Sequence, residues 1–279
     1  MPSMSIKNVE QLKIPARTFF VVTFSWSYLF WFATDLLGGI DQFPGSLLLY
    51  VAGAGPIVAA LTLIHFWESR IVQQEFWAST FDPRRMSPRW LLIAFFIHPI
   101  LVLGASLVDM GLGGEVQTKT DNLTNATSWF MMIFFVFVFG PLPEEMGWRG
   151  FALNRLQAVS SPLNASILLG GAWSLWHVPL FLIEGTIQYQ WGFWSLRFWI
   201  FLATMVPLSI IMTWVYNNTN RSILSAVIIH FTGNLCGALL VKTNQLAGLE
   251  LAALSLAAIV ITVRWPKLGY SNHISDSQS

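Results

Sequence analysis

Eight apolar runs constrain this chain more than any other feature, near 18–40, 46–67, 90–109, 127–148, 163–183, 194–216, 222–242 and 245–265. About 20 residues of helix cross the roughly 30 Å of hydrocarbon in a bilayer. Backbone in lipid must satisfy its own hydrogen bonds, which leaves helices or a closed barrel, and runs of this length are helical. The sequence therefore predicts an all-α polytopic membrane protein, with about eight transmembrane helices around an intramembrane polar cavity. It is expected to be a single membrane domain over 1–279, with its motifs gathered in 120–240.

Charge supports that reading. Only 10% of the 279 residues are Asp, Glu, Lys or Arg, against about 25% in soluble domains. The net charge of +1 provides no basic surface for nucleic acid. The single cysteine, Cys236, excludes an internal disulfide and a cysteine-rich metal site, and reads as a small core residue. Met1 to Arg17 is polar and no cleavable signal peptide is expected.

With eight spans and the N-terminus inside, the inner segments hold 12 of the 15 basic residues. They run from Lys7, Lys13 and Arg17 through Arg70, Arg84, Arg85 and Arg89 to Arg149, Arg155, Arg221, Arg264 and Lys267. Lys119, Arg197 and Lys242 fall outside. This asymmetry places both termini in the cytoplasm, in what reads as a prokaryotic plasma membrane. Trp67, Trp90, Trp129, Trp148, Trp191, Trp194 and Trp265, near run ends, read as interfacial anchors.

Against this background the polar residues inside the runs stand out. Trp129 to Leu142 is uncharged but too short to span, so its helix must carry Glu144 and Glu145 into the membrane or close to its inner boundary. Acids at that depth cost a few kcal/mol unless paired, about 3 on insertion scales, and are functional candidates by default. Arg149 lies four residues after Glu145, in position to pair with it, while Glu144 points about 100° away towards a cavity. His177 sits in the fifth run, four residues after Trp173, and His230 and Asn234 in the seventh are one turn apart on one face. Gly233 and Gly237 are spaced to let a neighbouring helix approach. His65, His98 and Glu250 read as structural or interfacial.

A buried carboxylate suits the activation of water, an imidazole suits positioning it, and a His–Asn pair suits a developing oxyanion. The same side chains also suit zinc, through Glu144, His177 and His230 with water in the fourth place. The residues alone leave these alternatives open.

The pattern Glu144-Glu145-x-x-x-Arg149, then Trp173-x-x-x-His177, then His230-x-x-x-Asn234 resembles the CAAX-processing and bacteriocin-processing (CPBP, or ABI) membrane proteases. That family includes the type II CAAX prenyl proteases, and the bacterial and archaeal branch is the most similar. The resemblance implies an intramembrane endopeptidase in which Glu144 activates water with help from His177. Glu145 and Arg149 would support the site, and His230 and Asn234 would hold the oxyanion. It implies no required cofactor, with zinc the minority view. It also implies a peptide or membrane-protein tail as substrate, entering from cytosol or lipid. The alternatives are a non-proteolytic relative serving self-immunity or scaffolding, and a transporter, although no internal repeat is evident.

Overall fold

The computed structural model describes residues 12–269. The cytoplasmic placement of the extreme termini and the polar tail fall outside them. Among the described residues the protein is helical, apart from an isolated antiparallel bridge between Thr118 and Leu240. The helices are α1 (Ala16–Leu36), α2 (Gly45–Gly53), α3 (Gly55–Trp67), α4 (Arg70–Phe81), α5 (Pro88–Gly111), α6 (Ala126–Val138) and α7 (Pro141–Gly147). After a π-helical segment at Trp148–Leu153 come α8 (Asn154–Val159), α9 (Pro162–His177), α10 (Ile187–Trp191), α11 (Leu196–Asn218), α12 (Ile223–Leu239) and α13 (Asn244–Arg264).

Each of the eight apolar runs is helical, but not all are long enough to span alone. Five stretches are: α1, α5, Ala126–Val159, α11 and α13. The pair α2 and α3, bent by 49°, makes a sixth if counted as one crossing. The remaining two, α9 at 16 residues and α12 at 17, are the shorter ones, and both carry candidate site residues. Many of their positions are buried against other helices. Burial of this kind suits helices too short to span alone, because irregular backbone at membrane depth is tolerated only where it meets protein or a cavity.

Two expectations change in the fourth run. The helix does not stop near Trp148 but continues through the π segment to Val159, a stretch of 34 residues. At about 1.5 Å per residue this is about 50 Å, which puts the glutamates well inside it rather than at its end. Trp148 is fully buried instead of interfacial, with Phe19 at 5.4 Å and Trp176 at 5.8 Å from its ring. Arg149 is likewise buried and is no surface cation. Trp67, Trp194 and Trp265 remain exposed.

Local chemistry explains how this stretch begins and breaks. Asn125 caps α6, accepting from the Ser128 amide at 2.9 Å while the Ser128 hydroxyl accepts from the Asn125 amide. Pro141 and Pro143 cannot continue an interior helix, so α6 ends at the Phe139–Gly140 step. Pro141 then opens α7 in the first turn, where a missing N–H costs nothing.

The bundle is laced by buried polar contacts. Ser27 on α1 donates to the Ala52 carbonyl at 2.7 Å and accepts from the Trp176 indole at 2.8 Å, tying α2 and α9 to α1. Gly147 abuts the start of α3, and a Cβ there would lie 2.5 Å from Pro56 Cβ and 2.6 Å from its carbonyl oxygen. Gly147→Ala is therefore expected to force α7 off α3 and to destabilise the protein by about 1–3 kcal/mol, the usual cost of overpacking. An unchanged melting temperature in detergent would rule this out.

Candidate active site

The three motifs converge from α7, α9 and α12. Glu144, His177, His230 and Asn234 line one cavity of about 430 Å³. Glu145 and Arg149 lie behind it, both with no exposed surface. All six sequence-predicted residues are thus brought to one place.

Glu145 is the hub. Arg149 Nη1 donates to its Oε2 at 2.7 Å and its Oε1 at 3.0 Å, the expected i,i+4 pair. His230 Nδ1 donates to Oε1 at 2.8 Å, so this one carboxylate also fastens α7 to α12. Arg149 Cζ lies 4.8 Å from the centre of the Trp173 ring, within cation–π range. Its Nε and Nη2 have no hydrogen-bond partner, which makes Glu145 and that ring its main compensation.

Glu144 is held differently. The Trp173 indole donates to its Oε2 at 2.7 Å. Trp173 also packs edge-to-face on His230 at 5.1 Å, so a single side chain positions both an acid and an imidazole. His177, at the end of α9, donates from Nδ1 to the Trp173 carbonyl at 2.8 Å. That bond fixes the tautomer of the neutral ring and leaves Nε2 as an acceptor. Trp176 and Phe201 flank the His177 ring at 4.8 and 5.3 Å. Asn234 is exposed to the cavity, beside Gly140, where a Cβ would lie 3.3 Å from its Nδ2.

The Glu144–Trp173 and Glu145–His230 bonds were not foreseen. They join residues 29 and 85 apart, and no spacing rule links them. His98, taken as structural, also lines the cavity. Its Nε2 bonds Glu250 Oε1 at 3.0 Å, and Lys242 reaches Glu250 Oε2 at 2.6 Å. Glu250 is therefore buried in a charge network rather than interfacial. Gly233 backs onto the His98 imidazole, as close packing requires, whereas a Cβ on Gly237 would meet no atom within 4 Å.

Among the described residues no three His, Cys, Asp or Glu side chains gather in a way that would hold an ion. Glu144, His177 and His230 are not gathered as such a set, so the zinc arrangement through them does not fit this geometry.

Comparison with known proteins agrees with the motif pattern. Residues 126–236 match the family model described as type II CAAX prenyl endopeptidase Rce1-like. The chain is also 28% identical over 257 residues to CAAX prenyl protease 2 of Methanococcus maripaludis, covering 91% of this chain and 95% of that protein. Spanning helices and the three ordered motifs thus stand beside two matches that make the chain similar to type II CAAX proteases.

Proposed function

We propose that this protein is an intramembrane endopeptidase that hydrolyses peptide bonds with water activated by Glu144. The observation that carries the reading is the shared cavity, where an acid, two imidazoles and an amide face one space large enough for a peptide segment. Glu144 takes a proton from water as the hydroxide oxygen bonds to the scissile carbonyl carbon. His177 Nε2, left as an acceptor, holds that water in line. The oxyanion that forms is met by Asn234 Nδ2 and by His230 Nε2. His230 Nδ1–H is committed to Glu145, so Nε2 meets the oxyanion only when it carries a proton of its own. The proton on Glu144 then passes to the amine nitrogen as the C–N bond breaks. Glu145 and Arg149 position His230 and do not touch the substrate.

The substrate is a peptide or the exposed tail of a membrane protein. The archaeal relative's name specifies a prenyl protease; only the peptide chemistry is carried over here. In the proposed orientation the basic end of the bundle lies in the cytoplasm, in a prokaryotic plasma membrane.

Detergent-purified protein incubated with quenched fluorogenic peptides tests the reading. Wild type should cleave. Asn234→Ala should lower kcat by about 10²–10³-fold with KM little changed, as expected for loss of an oxyanion donor. Wild-type kcat in Asn234→Ala would remove the oxyanion assignment. A wild type that binds peptides without cleaving any would favour a non-proteolytic role instead.

A further inference from the structure

One buried charged cluster takes no part in the chemistry above. His98 on α5, Glu250 on α13 and Lys242, in the link between α12 and α13, form a chain that ends at the cavity wall. Glu250 Oε1 accepts from His98 Nε2 at 3.0 Å, and Glu250 Oε2 accepts from Lys242 Nζ at 2.6 Å. His98 and Glu250 are buried, and Lys242 is mostly so. Ionisable groups at membrane depth are costly, and packed apolar residues would join α5 to α13 as well or better.

The cluster is firmly seated at its far end. On either side of Lys242, the Val241 amide donates to the Gln117 carbonyl at 2.9 Å and the Thr243 carbonyl accepts from Arg197 at 3.0 Å. At the near end the His98 ring turns one edge to Glu250 and the other to α12. Its Nδ1 has no hydrogen-bond partner among the described residues. A Cβ on Gly233 would run into Nδ1 and Cε1, so the imidazole fills the space in which any side chain at that position would stand. Glu250 thus fixes the ring, and the ring bears on α12.

The point of contact matters. Gly233 follows His230 by three residues and immediately precedes Asn234, so it lies about 60° round the helix from the first and about 100° from the second. Glu145 already holds this turn of α12, through His230 Nδ1 at 2.8 Å. A helix held at one point can still turn about its axis, whereas two contacts at different angles fix its rotation. Asn234, exposed to the cavity, takes its aim from that rotation.

We infer that His98 is a positioning residue for the oxyanion site. Glu250 and Lys242 hold its ring against Gly233, and the ring keeps α12 at the rotation that points Asn234 at the oxyanion. Its effect on turnover rests on the peptidase reading; its effect on the setting of α12 does not.

The test compares His98→Leu, which keeps bulk but cannot donate to Glu250, with His98→Gln, whose amide nitrogen can replace Nε2 as the donor. In the detergent-purified full chain, His98→Leu should lower kcat by about 10–100-fold with KM little changed, the scale of loss that a small misplacement produces. His98→Gln should recover most of that loss although it cannot exchange a proton, which separates positioning from acid–base work. In an Asn234→Ala background His98→Leu should cost little further. Wild-type kcat in His98→Leu, a His98→Gln as slow as His98→Leu, or losses that multiply in the double variant would each overturn the inference. If His98→Leu does not fold, Gly233→Ala, whose methyl would strike the ring, takes its place, and wild-type kcat in that variant would be equally fatal. Selective ¹⁵N labelling of the five histidines reads the geometry with no substrate present. The His230 ring signals should shift in His98→Leu and return in His98→Gln. If wild type cleaves no peptide, the peptidase reading fails, and these signals alone decide: unmoved in His98→Leu they refute the positioning of α12, and shifted they uphold it.

Discussion

Glu144→Gln is expected to lower kcat by about 10³-fold or more while leaving the protein folded, the upper range for removal of a general base. The substitution keeps the shape of the side chain. Its amide oxygen still accepts from the Trp173 indole, which is the one hydrogen bond that holds the wild-type carboxylate to protein. What disappears is the capacity to take a proton from water. Peptide turnover measured beside the melting temperature in detergent separates the two properties. Residual turnover within tenfold of wild type would sink the role of Glu144 as base.

The second large effect falls on stability. Arg149 and Glu145 are both without exposed surface, and removal of one partner leaves the other charged and unpaired. Arg149→Met is expected to cost about 3–5 kcal/mol, as breaking a buried ion pair does. Glu145→Leu should cost as much or more, since it also strands the His230 ring. The double substitution should recover much of that loss, because apolar side chains of similar volume are well tolerated where a buried pair has been removed together. Activity should not return with it, because His230 has lost the carboxylate that orients Nδ1. Denaturant unfolding of the two singles and the double completes a thermodynamic cycle. If the losses of the singles simply added in the double, the pair would not be coupled.

The candidate site was legible in the sequence wherever one helix sufficed. Glu145 and Arg149, Trp173 and His177, and His230 and Asn234 are all i,i+4 pairs, and the period of the helix places each pair on one face. Contacts between helices were not legible. The indole that holds Glu144 and the imidazole that reaches Glu145 come from elsewhere in the chain, and helical periodicity does not reach from one helix to another. The end of the fourth span was misplaced for a different reason. Arg149, Asn154, Arg155 and Gln157 look like the polar edge of a membrane helix. They are tolerated inside because each has a specific partner: Asn154 accepts from Tyr216 at 3.0 Å, Gln157 exchanges amide hydrogen bonds with Asn217, and Arg155 meets Glu68. Burial by pairing leaves no trace in composition.

The π-helical segment Trp148–Leu153 has a mechanical consequence. A wide turn holds about one residue more than an α turn, and that residue rotates everything after it by about 100° relative to everything before. Glu144 faces the cavity on one side of this joint, and Arg155 faces Glu68 on the other. Had the helix remained regular, both could not point where they do. The segment is a phase adjuster within one rod, and it makes the length of the chain between Arg149 and Arg155 as consequential as its composition. Loss of a single residue there would leave Arg155 chemically intact and aim it away from Glu68.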